Sequence, residues 1–267
     1  MHDYRVAPGS KLDLSRVKAG STAGAPGGKR ETEKALAELN GRLEQLQEQL
    51  WAEHRRQVLV VLQGMDTSGK DGTIRHVFEG VNPLGVRVAA FKAPAGEEAE
   101  HDFLWRVHRK APAHGEMVIF NRSHYEDVLV ARVQKLVPPA VWKPRYDQIN
   151  DFERLLAETG TTILKFFLHI DRDEQKRRLE ERIANPHKRW KFRKGDLDDR
   201  ARWDEFMKAY EEAIRRTSTK HAPWYVVPAN KKWYRNLVVA TVLVETLAGL
   251  GMKTPRPAED LDGVVIQ

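Results

Sequence analysis

Short, largely apolar runs bounded by glycine, proline or charge alternate with amphipathic stretches through the middle of this 267-residue chain. The runs at 57–63, 86–91, 117–120, 162–170 and 224–227 are too short for buried helices and are rich in β-branched and aromatic residues, which predicts strands. Between them, 97–110, 124–135 and 144–159 read as helices, and the apolar stretch 237–250 reads as a final buried helix. Five strands separated by helices predict an α/β fold, a five-stranded parallel sheet covered on both faces in three α/β/α layers. In such a sheet ligands bind beyond the carboxyl ends of the strands, so the residues after each strand are the ones to read for chemistry.

Outside this domain, 57–250, the pattern changes. Residues 1–30 form a basic arm rich in Gly, Ala and Ser, with little regular structure expected. Residues 31–56 form a charged helix with Leu36, Leu39, Leu43, Leu46 and Leu50 at heptad-like spacing. Two heptads are short for a coiled coil, which favours packing along the flank of the domain. The tail, 251–267, carries prolines and acids and is expected to be loose.

Composition narrows the chemistry. The chain has no cysteine, which excludes disulfides, thiolate metal sites and a cysteine nucleophile and fits a reducing compartment. The segment 237–250 contains Thr241, Glu245 and Thr246 and is too short to cross a bilayer, so no membrane association is expected and the location expected is cytoplasmic. A net charge of +7 calls for a polyanionic partner: nucleic acid, a nucleotide or a phosphate chain.

The first strand runs into Gly64-Met65-Asp66-Thr67-Ser68-Gly69-Lys70-Asp71-Gly72-Thr73. Strand, glycine-rich loop and a helix opening at Gly69-Lys70 are the context of a phosphate-cradling P-loop, in which backbone N–H groups surround anionic oxygens and the lysine adds a point charge. Two departures stand out. Asp71 replaces the Ser or Thr that normally binds Mg²⁺, and Asp66 lies inside the loop, where it would repel phosphate unless a cation lies between them. The third strand is followed by Asn121-Arg122-Ser123-His124-Tyr125-Glu126-Asp127. Asn121 holds the strand-end position at which P-loop enzymes usually place a metal-holding aspartate, and Arg122 suits bidentate phosphate contact. Ser123 and Glu126 also have the spacing of a capping box. After the fourth strand, Arg178 and Arg182 share a helix face and 188–194 add five more cations. Pro186 ends that helix and a new one is expected near Asp196, so 183–202 read as a lid over the phosphates. A nucleic-acid contact through the same basic run, with Trp190 and Phe192, is the alternative.

These motifs, with Pro186-His187-Lys188-Arg189-Trp190-Lys191, Arg202-Trp203-Asp204 and 223–234, resemble the family-2 polyphosphate kinases over about 58–239. The resemblance implies a P-loop kinase fold similar to thymidylate kinase and reversible phosphoryl transfer from inorganic polyphosphate to nucleotides. The Asn121 form, followed by His-Tyr-Glu-Asp, is similar to the class III branch, which phosphorylates nucleoside monophosphates and diphosphates, here AMP and ADP, giving ADP and ATP. It implies Asp66, Lys70, Asn121, Arg122 and Arg178 as catalytic residues. The phosphate channel would comprise Gly64, Thr67, Ser68, Gly69, Lys70, Asp71, Gly72, Thr73, Arg75, Arg122, Arg178, Arg182 and Lys188. Asn121, Glu126 and Asp127 would meet the nucleotide acceptor, and Asp66 and Glu126 would hold Mg²⁺ or Mn²⁺. A homo-oligomer, dimer or tetramer, is expected, with no nucleic-acid partner. An ATP-dependent nucleoside monophosphate kinase and a non-catalytic nucleic-acid binder are the rivals.

Overall fold

The computed structural model describes residues 4–257 and Glu259. Its strands are β1 (Arg5–Val6), β2 (Gln57–Gln63), β3 (Val86–Ala90), β4 (Met117–Asn121), β5 (Thr161–His169) and β6 (Trp224–Pro228). The helices of seven or more residues are α1 (Lys29–Glu53), α2 (Lys70–Val77), α3 (Arg145–Glu158), α4 (Arg172–Ala184), α5 (Gly195–Ala201), α6 (Trp203–Thr217) and α7 (Lys232–Gly249).

The sheet order is β1-β6-β5-β2-β4-β3. The five strands expected from the apolar runs pair in parallel. The sixth, β1, is a two-residue antiparallel addition from the N-terminal arm, with Arg5 opposite Tyr225 and Val6 opposite Trp224. Every residue of β2 is buried, which is why that strand shows no polar alternation. After β2 the chain goes to β3 and β4 on one side and later to β5 and β6 on the other, so a crevice opens at the carboxyl end of β2. Leu62 lies opposite both Asn121 and Phe166, so the ends of three strands open at one level into this crevice.

Helix α1 lies along the domain against α7. Leu36, Leu43, Leu46 and Leu50 are buried there, each stabilising the contact by about 1.5–3 kcal/mol on the usual scale for full burial. Residues 4–28 have little regular structure beyond β1 and a 3₁₀ turn at Leu14–Arg16, yet they dock on the domain. Ser218 Oγ donates to the Val6 carbonyl at 2.6 Å, Asn230 N donates to the Ala19 carbonyl at 3.1 Å, and Leu14 and Ala19 are buried. Residues 251–257 have no regular structure; residues 1–3 of the arm and most of the remaining tail lie outside the described residues.

Two expected helices are broken. The stretch 97–110 forms single turns at Glu97–Glu100 and Trp105–His108, because Asp102 Oδ1 accepts from Leu104 N and Trp105 N and starts the chain afresh. The stretch 124–135 forms a 3₁₀ turn, His124–Asp127, and a separate turn, Val130–Val133. Ser123 Oγ accepts from Tyr125 N, two residues on, which tightens the turn. The reciprocal half of a capping box is missing, since the Glu126 carboxylate goes to Arg122.

Candidate active site

Strand β2 ends at Gln63, and the loop to α2 needs left-handed backbone at Gly64 (φ 149°), Thr67 (φ 64°) and Gly69 (φ 107°). At Gly69 a β-carbon would lie 1.8 Å from Arg235 Nη1, so steric crowding as well as backbone angle requires glycine there. At Gly72 it would lie 3.3 Å from Arg235 Nη2. The hydroxyls of Thr67 and Ser68 are buried in the loop without a partner, the kind of donor a phosphate oxygen would satisfy. Thr73, by contrast, is turned back into its own helix, its Oγ1 donating to the Gly69 carbonyl at 3.2 Å.

Lys70 is buried and donates to the carbonyls of Gly64 (2.7 Å) and Met65 (3.3 Å). Burial, with the neighbouring Arg122 charge adding, lowers its pKa to about 8, while Asp66, Glu126 and Asp71 pull the other way. Arg122 takes a left-handed backbone conformation (φ 62°) straight after β4 and lies between two carboxylates. Its Nη2 donates to Asp66 Oδ1 at 2.6 Å and its Nη1 to Glu126 Oε2 at 3.2 Å. Glu126 is raised above the ordinary carboxylate range by burial, which outweighs the pull of Arg122 and Lys70. The structure thus gathers Asp66, Lys70, Arg122 and Glu126 into one alternating cluster at the mouth of the crevice.

Asp71 and Asn121 meet beside it. Asn121 Nδ2 donates to Asp71 Oδ1, and Lys191 Nζ, from the 3₁₀ turn Arg189–Lys191, donates to Asp71 Oδ2, both at 2.9 Å. Burial works to raise the Asp71 pKa, but these two hydrogen bonds outweigh it and hold the carboxyl below its usual range. The residue that replaces the P-loop Ser or Thr therefore joins the loop helix, the end of β4 and the segment 185–194. Arg182 Nη1 lies 3.4 Å from both the Lys191 carbonyl and Asp196 Oδ2 and so braces that segment. Lys188 and, at the far end of α2, Arg75 are exposed.

Two expected roles change. Arg178 has no donor left for a substrate: Nε donates to Glu174 Oε1, Nη1 to the carbonyls of Thr67 and Ser68, and Nη2 to those of Ala229 and Asn230. It ties the back of the P-loop to the loop after β6. Asp127 does not join the cluster either. Arg145 Nη1 donates to both its carbonyl (3.0 Å) and its Oδ1 (3.2 Å), and Arg106 Nη2 lies 3.9 Å from its Oδ2.

Sequence reading missed several contributors. Arg235, buried one turn into α7, donates to the Ser68 carbonyl, and Gln175 Nε2 donates to that of Asp66. An arginine beside an apolar helical run was the available signal. Asp196 and Asp199 lie close enough to Asp66 and Arg122 to feel their charges, and burial raises both carboxyls. Among the described residues no group of three His, Asp or Glu side chains forms a metal cage. Asp66 and Glu126 nevertheless supply the oxygen donors that a hard divalent cation takes, since such an ion beside phosphates is commonly held by one or two carboxylates together with substrate oxygens and water.

A P-loop at the switch point of a parallel sheet, with a lysine, an arginine between carboxylates and a basic segment over it, defines a phosphotransferase of the P-loop kinase fold. Residues 27–255 match the sequence pattern of the family Polyphosphate kinase 2 (PPK2), and the chain belongs to that family. It is 60% identical over its whole length, and that of the relative, to a Meiothermus ruber protein named AMP/ADP-polyphosphate phosphotransferase. A Rhodopseudomonas palustris protein named ADP-polyphosphate phosphotransferase is 42% identical, with 95% of this chain and 91% of the relative aligned. The crystal structure of polyphosphate kinase 2 from Arthrobacter aurescens superposes with a TM-score of 0.93 at 46% identity, covering 97% of this chain and 92% of that one. Members of such a family transfer phosphoryl groups and work on metal-bound phosphates. No helix among the described residues is long and apolar enough to cross a membrane.

Proposed function

We propose that this chain transfers a phosphoryl group reversibly from inorganic polyphosphate to AMP and to ADP, with Mg²⁺ or Mn²⁺ as the metal. The observation that carries the reading is the Asp66–Arg122–Glu126 arrangement beside Lys70 in a P-loop that lacks its usual hydroxyl. An ATP-dependent monophosphate kinase keeps Ser or Thr after the loop lysine. The full-length Meiothermus ruber relative, named for both AMP and ADP, supports the double acceptor range.

The loop N–H groups, the Thr67 and Ser68 hydroxyls and Lys70 bind the donor phosphates, with Lys70 exchanging its carbonyl partners for phosphate oxygens. Arg122 neutralises charge on the transferring group. Asp66 and Glu126 would hold the metal, which when bound would draw charge from the phosphate oxygens. Asn121 and Glu126 face the acceptor, while Arg182, Lys188 and Lys191 close over the chain. One acceptor phosphate oxygen forms a bond to the terminal phosphorus of the chain as the bridging P–O bond breaks, leaving a chain one phosphate shorter. The acceptor is already ionised near neutral pH, so in-line positioning and charge stabilisation do the work and no strong general base is needed. The same reading makes the protein a cytoplasmic homo-oligomer without nucleic-acid or membrane partners.

The test supplies purified protein with Mg²⁺, long-chain polyphosphate and either AMP or ADP, and separates the nucleotides. ADP and ATP should form with no ATP added. Phosphorylation of AMP that occurs only when ATP is supplied would overturn the reading.

A further inference from the structure

Strand β5 is central in the sheet, and its stretch Ile163–Leu168 is apolar except for Lys165, whose side chain is fully buried, as is that of Glu153 on α3. Lys165 Nζ donates to Glu153 Oε2 at 2.5 Å, to the Thr217 carbonyl at 2.7 Å and to Tyr125 Oη at 2.9 Å. Tyr125 Oη donates in turn to Glu153 Oε1 at 2.8 Å, and His124 Nε2 lies 3.2 Å from the same oxygen. Thr217 Oγ1 accepts from Trp224 Nε1 at 2.9 Å. Among the described residues, none of these groups has a hydrogen bond to the P-loop.

Folding alone does not ask for this arrangement. Taking an ammonium and a carboxylate out of water is costly, and well-packed apolar residues commonly replace such a pair without loss of stability. What the pair does hold is the 3₁₀ turn His124–Asp127. Tyr125 and His124 of that turn both end on Glu153, while Tyr125 N donates to Ser123 Oγ, which also accepts from Gln63 Nε2 at the end of β2. Arg122, in left-handed backbone, is one residue before Ser123, and Glu126 is in the turn itself. A non-glycine residue keeps such a conformation only where its surroundings over-determine it.

We propose that Lys165 and Glu153 are positioning residues for phosphoryl transfer: through Tyr125 and His124 they fix the turn after β4 and so align Arg122 and Glu126 with the P-loop. The inference rests on the phosphotransferase reading above. The pair touches neither substrate nor metal, and its effect reaches the reaction only through the placement of those two side chains. A displaced turn leaves the P-loop and the bound chain in place but misaligns the charges that the transition state needs, so the loss falls on kcat.

The experiment compares wild type, Lys165→Met, the double variant Lys165→Met/Glu153→Met, and Tyr125→Phe in steady-state kinetics and thermal unfolding. Lys165→Met should melt well below wild type, because Glu153 is left charged and buried. The double variant should regain the wild-type melting temperature while kcat stays at least about tenfold down and KM for polyphosphate stays within about twofold. Tyr125→Phe, which keeps the ion pair and the ring, should lose about threefold or more in kcat with little change in melting temperature. A double variant that regains both melting temperature and kcat overturns the proposal and makes the network structural only. If the double variant does not fold, wild-type kcat in Tyr125→Phe overturns it. Wild type that forms no nucleotide product from polyphosphate would refute the underlying functional reading and take the inference with it, a result distinct from active wild type with unaffected variants.

Discussion

Arg178→Ala separates a brace from a phosphate-binding arginine. All five N–H groups of Arg178 are used: one on Glu174, two on P-loop carbonyls and two on the carbonyls of Ala229 and Asn230. The side chain is 5% exposed, so solvent screening is slight. Hydrogen bonds from a charged donor are each worth about 1.5–3 kcal/mol, but four to carbonyls on one guanidinium are not additive. After truncation, water can reach part of the space, and Glu174 keeps its bonds to Arg177. The expected cost is therefore about 3–4 kcal/mol, against about 0.5 kcal/mol for removing an exposed arginine. At about 2.1 cal/mol/K per residue, a chain of 267 residues should lose about 5–7 °C in Tm. Activity should fall with it, because the P-loop carbonyls lose their fixed backing, and KM for chains of different length should rise alike. Differential scanning calorimetry and polyphosphate kinetics on the same preparation make the comparison. A variant that keeps its Tm within about 1 °C while losing activity steeply on long chains would refute the brace and return Arg178 to the phosphate channel.

Other outcomes follow from the same cluster. The pKa of Lys70 lies at about 8, so its charge is present below that pH and lost above it. kcat/KM should therefore fall along an alkaline limb near pH 8, and Lys70→Arg should move the limb upward out of the assay range. Asp66→Asn removes a carboxylate from Arg122 and from the metal, so turnover should drop by about 10²-fold and the Mg²⁺ concentration for half-maximal rate should rise. Unchanged metal dependence would mean that Asp66 is no ligand. Asn121→Asp places a carboxylate where an amide now donates to Asp71, so two like charges face each other at hydrogen-bond range. The AMP-to-ADP rate ratio should shift by about threefold or more with Tm nearly constant, and an unchanged ratio would remove Asn121 from acceptor choice.

Much of this protein could be read from the sequence because its signals are local. Unbroken apolar runs such as 57–63 mark strands buried on both faces, and a strand followed by Gly64–Thr73 marks a phosphate loop, since both depend on neighbours in the chain. The five parallel strands and the P-loop follow from those patterns. Where side chains point is a different matter. Arg178 and Arg182 share a helix face, yet one is spent on four backbone carbonyls and the other braces the segment above Asp71. Periodicity places both on the same side but cannot say which backbone groups lie opposite. Glu126 and Asp127 are adjacent, but only Glu126 reaches Arg122, because a 3₁₀ turn pinned by Ser123 and Tyr125 rotates the two apart. Lys165 and Glu153 carried no local signal: each is a charge in an otherwise buried setting, paid for by partners far away along the chain. The chain's own pattern decides its strands, loop and class of chemistry, since backbone preference and hydrophobic burial act over a few residues. Tertiary packing alone decides which arginine meets phosphate and which holds the fold, since that depends on what the assembled sheet brings within 3 Å.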